Sequence, residues 1–270
     1  MSNETSQIHR PLTRTDNIRV LRLKPGRGDD PITTELEEQS RQPGKNYDAI
    51  SYVWGATSDQ RKIVCNGITV HVTSNLFAAL KRLRYDADVR TLWVDALCIN
   101  QADPVEKTHQ VRQMREVYAS SSRVVIWLGE EDKHGSISRA VILLYALVER
   151  FYRACGGQMH MLLREYQIKA LPDWVDVRNQ LLETVRPDDF SSEDWAALGE
   201  LLRRPWFSRI WVVQEAVMAP SEPDFSPMVM CGSHYFHFDT LSNSLLGLRL
   251  LGIDYKLWEW LPKGSANRRT

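Results

Sequence analysis

The chain reads as a three-layer α/β domain, a mostly parallel sheet covered by helices, with a helical insertion and an extra β-hairpin. Three observations predict this. Val124–Leu128 is an unbroken apolar run, as expected of a central strand buried on both faces. Leu92-Trp93-Val94, an amphipathic stretch and that run come in the order of a βαβ unit, whose crossover should be right-handed. From 130 to 204 the apolar residues recur at helical spacing instead.

Taken in order, residues 1–16 read as a disordered arm and 17–260 as one domain, with 130–204 as its insertion and 261–270 as a flexible tail. Ile18–Leu23 alternates and predicts a strand at a sheet edge. Lys24–Asn46 is mostly loop, with one more strand near Ile32–Leu36, and Tyr47–Trp54 is strand-like. Asn66-Gly67 between Arg61–Cys65 and Ile68–Val72 is a strong hairpin signal. Thr73 or Ser74 then caps a helix carrying Leu76, Phe77, Leu80 and Leu83. After Asp95 comes a polar loop. Asp103 suits an N-cap, Pro104 the first helical position and Glu106 the capping-box position. Val111, Met114, Val117 and Tyr118 share one face, and Ser120–Ser122 end that helix. Beyond 204, Arg204–Ala216 favours helix, Met228–Cys231 and Tyr235–Phe238 a hairpin, and Thr240–Leu251 a last helix.

The totals exclude several classes. With 34 basic and 34 acidic residues, no net charge points to nucleic acid or to an anionic membrane. No apolar run nears the roughly 20 residues that span a bilayer, and the first residues lack the apolar core of a secretion signal. Cys65, Cys98, Cys155 and Cys231 are scattered, without the close pairs of zinc sites or disulfide frameworks, which suits the reducing cytoplasm. His234 and His237 fall on opposite faces of the hairpin, which argues against a metal site. No G-x-S-x-G elbow or Walker loop is present.

Several blocks resemble the fungal heterokaryon-incompatibility (HET) domain: Tyr47–Gly55 (YDAISYVWG), Thr91–Gln101 (TLWVDALCINQ), His109-Gln110-Val111 with Met114, Val125–Gly129, and Arg204–Glu215 (RPWFSRIWVVQE). The resemblance covers roughly residues 18–240. It implies a cytoplasmic cell-death effector that acts when unlike fungal cells fuse, often joined to a sensor or oligomerising region. Ala119–Ser122 departs from the family's alanine-centred end of that helix.

A more distant resemblance is to TIR domains, which have a flavodoxin-like core. It rests on Asp48–Tyr52, the strand ending at Asp95, the helix and strand after it, and Trp211-x-x-x-Glu215. It implies cleavage of NAD at the nicotinamide–ribose bond, with Glu215 as the catalytic carboxylate. It also implies self-association in which the loop Ala96–Lys107 completes a neighbour's site. The chemistry is coherent: nicotinamide leaves without protonation, and one carboxylate can stabilise the oxocarbenium-like ribose. On a helix Trp211 and Glu215 share a face, and an indole can hold a cationic ring by stacking. Tyr52, Trp54, Ser51, Asp95 and Arg209 complete the expected substrate-binding set, with NAD or a related nucleotide as substrate and no cofactor or metal.

Each role has a plainer counterpart. Glu215 can pair with an arginine, Trp211 can fill a core, Ser51 can cap, and Asp95 can orient its loop by accepting N–H bonds. The alternative function is a non-catalytic death-signalling module that recruits partners through the same surfaces.

Overall fold

In the computed structural model, described for residues 5–41, 47–132, 135–154, 179, 182–209, 226–252 and 254, the chain divides into two units. The first takes Met1–Glu130 and Ser208–Tyr235, and the second takes Glu131–Phe207 and Phe236–Thr270.

Among the described residues nine strands form one sheet. They are β1 (Asn17–Leu23), β2 (Thr33–Ser40), β3 (Asp48–Tyr52), β4 (Gln60–Cys65), β5 (Ile68–Thr73), β6 (Arg90–Trp93), β7 (Arg123–Trp127), β8 (Met228–Cys231) and β9 (His234–His237). The spatial order is β5-β4-β2-β1-β6-β3-β7-β8-β9. Four neighbours, β6-β3-β7-β8, run parallel, and β7 is buried from Val124 to Trp127. β2 and β4 also pair parallel, over Thr33 and Thr34, so the expectation of a mostly parallel sheet holds in part. β1 pairs antiparallel with both β2 and β6, β4 pairs antiparallel with β5, and the sheet is mixed. β1–β2 and β4–β5 are consecutive strands whose connections are too short for a parallel crossover.

β1 is not the edge strand that its alternation suggested, because β2 and β6 flank it. Its polar Arg19 is therefore buried, 4% exposed. β2 is longer than expected and runs to Ser40. The β4–β5 turn is as read, with Asn66 at φ 53° and Gly67 at φ 78°, the left-handed pair of a two-residue hairpin. Helix α1 (Ser74–Leu83) is capped by the Thr73 side chain and buries Leu76, Ala79, Leu80 and Leu83.

From Thr5 the arm lies against the sheet. Ile8 is buried, Asn66 Nδ2 donates to its carbonyl (3.0 Å), and Glu38 accepts from the backbone and hydroxyl of Thr13. After Asp95 comes a short helix, α2 (Asp95–Cys98), in place of a loop. The amphipathic helix splits at Gln113 into α3 (Pro104–Arg112) and α4 (Met114–Ala119). Asp103 caps α3 as expected, accepting from the N–H groups of Val105 and Glu106. Glu106, however, turns away from the cap towards Arg19 and the Asn100 N–H. The Arg19 guanidinium takes the carboxylate, and the Asp103 N–H donates to the Asn100 carbonyl instead (3.3 Å).

In the second unit, α5 (Ser136–Ala154) packs against α6 (Ser192–Leu202) and α7 (Phe238–Leu251). The helical reading of 130–204 fits α5 and α6; Met159–Ala170 lies outside the described residues, as does most of 174–184. A capping box does form at α6, between Ser191 and Asp194.

Candidate functional site at the carboxyl ends of the parallel strands

Ligands of open α/β sheets bind beyond the carboxyl ends of parallel strands, where the strand order reverses. Here that place lies beyond Tyr52 of β3, between β6 and β7. Asp95, which follows the end of β6, is its hub. Trp54 Nε1 donates to Asp95 Oδ2 (2.8 Å) and the Ala96 N–H to Oδ1 (2.7 Å). Tyr52 bonds the same carboxylate. Burial pushes the Tyr52 phenol well above its ordinary pKa and the charge of Asp95 adds to this, so the phenol stays a donor. Gln101 Nε2 donates to the Asp95 carbonyl (3.0 Å), drawing the loop back over the strand end.

The other side of the reversal is bridged by Asn75, in the first turn of α1. Its Nδ2 donates to the Val53 carbonyl (2.6 Å) and its Oδ1 accepts from Trp127 Nε1 (2.9 Å), so one side chain ties the end of β3 to β7. Arg209 Nη1 donates to the Tyr52 carbonyl (2.8 Å). Tyr52, Trp54, Asp95 and Arg209 are thus brought together. Ser51 lies inside β3, 1% exposed. Trp211 and Glu215 lie outside the described residues.

A second cluster holds the loop from the other end. Arg19 makes a paired contact with Glu106 (Nη1–Oε1 2.6 Å, Nη2–Oε2 2.9 Å) and donates to the carbonyls of Cys98 (3.2 Å) and Arg10 (2.6 Å). Burial alone would raise the Glu106 pKa, but the bonds from Arg19 and Asn100 outweigh it and hold the carboxyl below its usual range. His9 Nε2 meets the Leu97 carbonyl (2.8 Å), and His109 the Thr15 carbonyl (2.8 Å), a structural use of that histidine. Cys98 is no nucleophile, since burial pushes its thiol up to about 12.

Sequence reasoning missed Asn75, Gln101, Trp127 and Arg19. Asn75 reads as one more polar residue in a first turn. Arg19 carried one usable signal, a cation in a strand that turns out to be central.

The recess beside Asp95, lined by Tyr52, Trp54, His71, Leu76 and Ala96 among others, has only about 10 Å³ of free volume. That is room for about one water. Among the described residues no group of three His, Cys, Asp or Glu could hold a metal ion, and no helix is long and apolar enough to cross a membrane.

Comparison with known proteins places these residues in a family. The description "Heterokaryon incompatibility protein (HET)" matches residues 47–215, more than half of the chain. The chain belongs to the HET family. It is 30% identical over 189 residues to heterokaryon incompatibility protein 6, OR allele, of Neurospora crassa, a match covering 64% of this chain and 27% of that protein. The chain therefore spans about a quarter of the length of that relative. No solved structure matches. The family match begins at Tyr47 and includes β3, β6, β7 and Arg209, so the Asp95 cluster is part of the HET domain itself.

Proposed function

We propose that this HET domain is a cell-death effector of fungal heterokaryon incompatibility that hydrolyses NAD at the nicotinamide–ribose bond after self-association, with Glu215 as the catalytic carboxylate. The observation that carries the reading is the anchoring of Arg209 on the Tyr52 carbonyl at the strand-order reversal. Six residues further along the chain comes Glu215, and four before it Trp211. The parallel strands support it too. In chain order they lie second-first-third-fourth, the order of flavodoxin-type sheets, which bind nucleotides at that reversal. TIR-like catalysis belongs to this proposal. Asp95 is a positioning residue here, because Trp54, Tyr52 and Ala96 already occupy its oxygens.

One observation favours a second reading, the non-catalytic recruitment module. The recess at Asp95 is far too small for a dinucleotide, against the several hundred Å³ typical of ligand pockets. The experiment that separates them is nicotinamide release from NAD by concentrated protein, wild type beside Glu215→Gln. Removing the carboxylate should slow release by at least about a hundredfold while the fold is kept, on the scale of a lost transition-state electrostatic contact. Death induced equally by both proteins, without nicotinamide, would establish the recruitment module instead.

A further inference from the structure

Strand β2 has one finished side and one open side. Its ladder with β1 runs from Thr34 to Ser40, whereas β4 pairs only with Thr33 and Thr34. The Lys24 N–H donates to the Thr33 carbonyl (2.9 Å), so odd-numbered residues of β2 turn their backbone groups to β1 and even-numbered ones outward. Asn66 closes the start of the outward side: its N–H takes the Thr34 carbonyl (3.0 Å) and its Oδ1 the Leu36 N–H (2.9 Å). From there to Ser40 no strand lies opposite among the described residues. The Leu36 carbonyl and the N–H and carbonyl groups of Glu38 and Ser40 are left facing out. A groove of about 800 Å³ runs beside this edge, lined by Leu36, Glu37 and Glu38 of the strand, by Asn66 of the hairpin and by the arm at Arg10 and Thr13, among others.

We infer that this open edge pairs with the same edge of a second copy of the chain, antiparallel across a two-fold axis at Glu38. An edge of this kind is a template for another strand, and the register follows from what is already used. With Glu38 opposite Glu38 of the partner subunit, the two Glu38 residues exchange both backbone bonds. Each Ser40 N–H then meets the Leu36 carbonyl of the other copy. Four of the five outward groups are satisfied, and the Ser40 carbonyl stays with water because Asn66 holds the Leu36 N–H opposite it. Centring one residue earlier would set each Glu38 carbonyl against the Leu36 N–H of the other copy, which Asn66 already holds.

The side chains agree. In the Glu38 register Gln39 faces Glu37 of the other copy. Gln39 Nε2 is buried without a hydrogen-bond partner, while the Glu37 carboxylate is 62% exposed with only a loose contact to Arg22 (3.8 Å). Turned outward, the Gln39 amide finds in the pairing the acceptor that it lacks inside. The Glu38 carboxylates stay charged, but each is turned to the Thr13 N–H and hydroxyl and to the Asn17 amide. Five residues per copy bury too little surface for a tight dimer, so the pairing is weak and responds to concentration. It uses a surface distinct from the loop Ala96–Lys107 and does not depend on catalysis.

Sedimentation velocity of the full chain over a concentration series tests it, with Ser40→Pro and Gln39→Glu. Proline removes one outward N–H that β1 does not use, and glutamate sets a carboxylate against Glu37. Each should weaken dimerisation by about tenfold without lowering Tm. As a check that needs no loss of binding, Glu37→Cys with Gln39→Cys should give a disulfide-linked dimer, and Glu35→Cys with Gln39→Cys should not. A wild-type chain that stays monomeric to its solubility limit would overturn the inference. So would association indifferent to both variants, or cross-linking equal in the two cysteine pairs.

Discussion

Arg19 shows how a single buried charge organises its surroundings. It sits on a central strand, 4% exposed, and collects Glu106, the Cys98 carbonyl and the Arg10 carbonyl, joining the N-terminal arm to the loop after β6. Removing one partner of such a pair costs more than the pair contributes, because the other charge is left stranded. Glu106→Gln should lower stability at neutral pH by about 1–3 kcal/mol. The pH dependence gives a sharper test. The folded-state pKa of Glu106 is depressed, so its contribution is full above the unfolded carboxylate value of about 4.3 and is lost as pH falls through the folded value. The acid limb of a Tm-versus-pH curve should therefore flatten in Glu106→Gln. An unchanged limb would show that Glu106 is not the group that titrates there. At Asp95 a plain structural role and a functional position coincide. The carboxylate was legible from its place at a strand end, whereas its partners Trp54 and Tyr52, 41 and 43 residues away in sequence, became visible only in three dimensions.

Elements whose signals are local came through the sequence well. Asn66-Gly67, the Thr73 cap and the Asp103-Pro104 start all form as read, because each depends on residues within one turn. The capping box expected at Glu106 did not form, and the helix broke at Gln113, because distant partners competed. Gln110 and Gln113 donate to the carbonyls of Asn17 and Thr15. Helix contacts in the second unit follow the same logic. Gly247 on α7 lies against the ring of Phe151 on α5, and a Cβ there would overlap that ring. Phe151 is fully buried and has nowhere to move. Gly247→Ala gains about 1 kcal/mol of helix propensity but meets an overpacking cost of up to about 3 kcal/mol. The net should be a loss of about 1–2 kcal/mol in urea unfolding. A gain would mean that α7 shifts to make room.

At the scale of the whole chain, the first unit is discontinuous. Residues 131–207 intervene before β8 pairs with β7, Val125 to Trp127 opposite Met228 to Met230. A chain ended at Glu130 would leave the edge of β7, an apolar strand, without its outer partner. Exposed apolar edges aggregate, so that truncation should be insoluble or self-associated on size exclusion. A soluble monomer would show that β8 is dispensable to the unit. By itself the sequence determined the family, the βαβ order, the turns and caps, and the place of Asp95, because these rest on spacing within short windows. Only the tertiary structure decided that β1 is central, that the sheet is half antiparallel, that the arm is held down, and that Asn75 closes the strand-order reversal. The reason is physical: strand pairing and buried polar bonds are chosen by which distant groups can satisfy each other, and no window along the chain contains both partners.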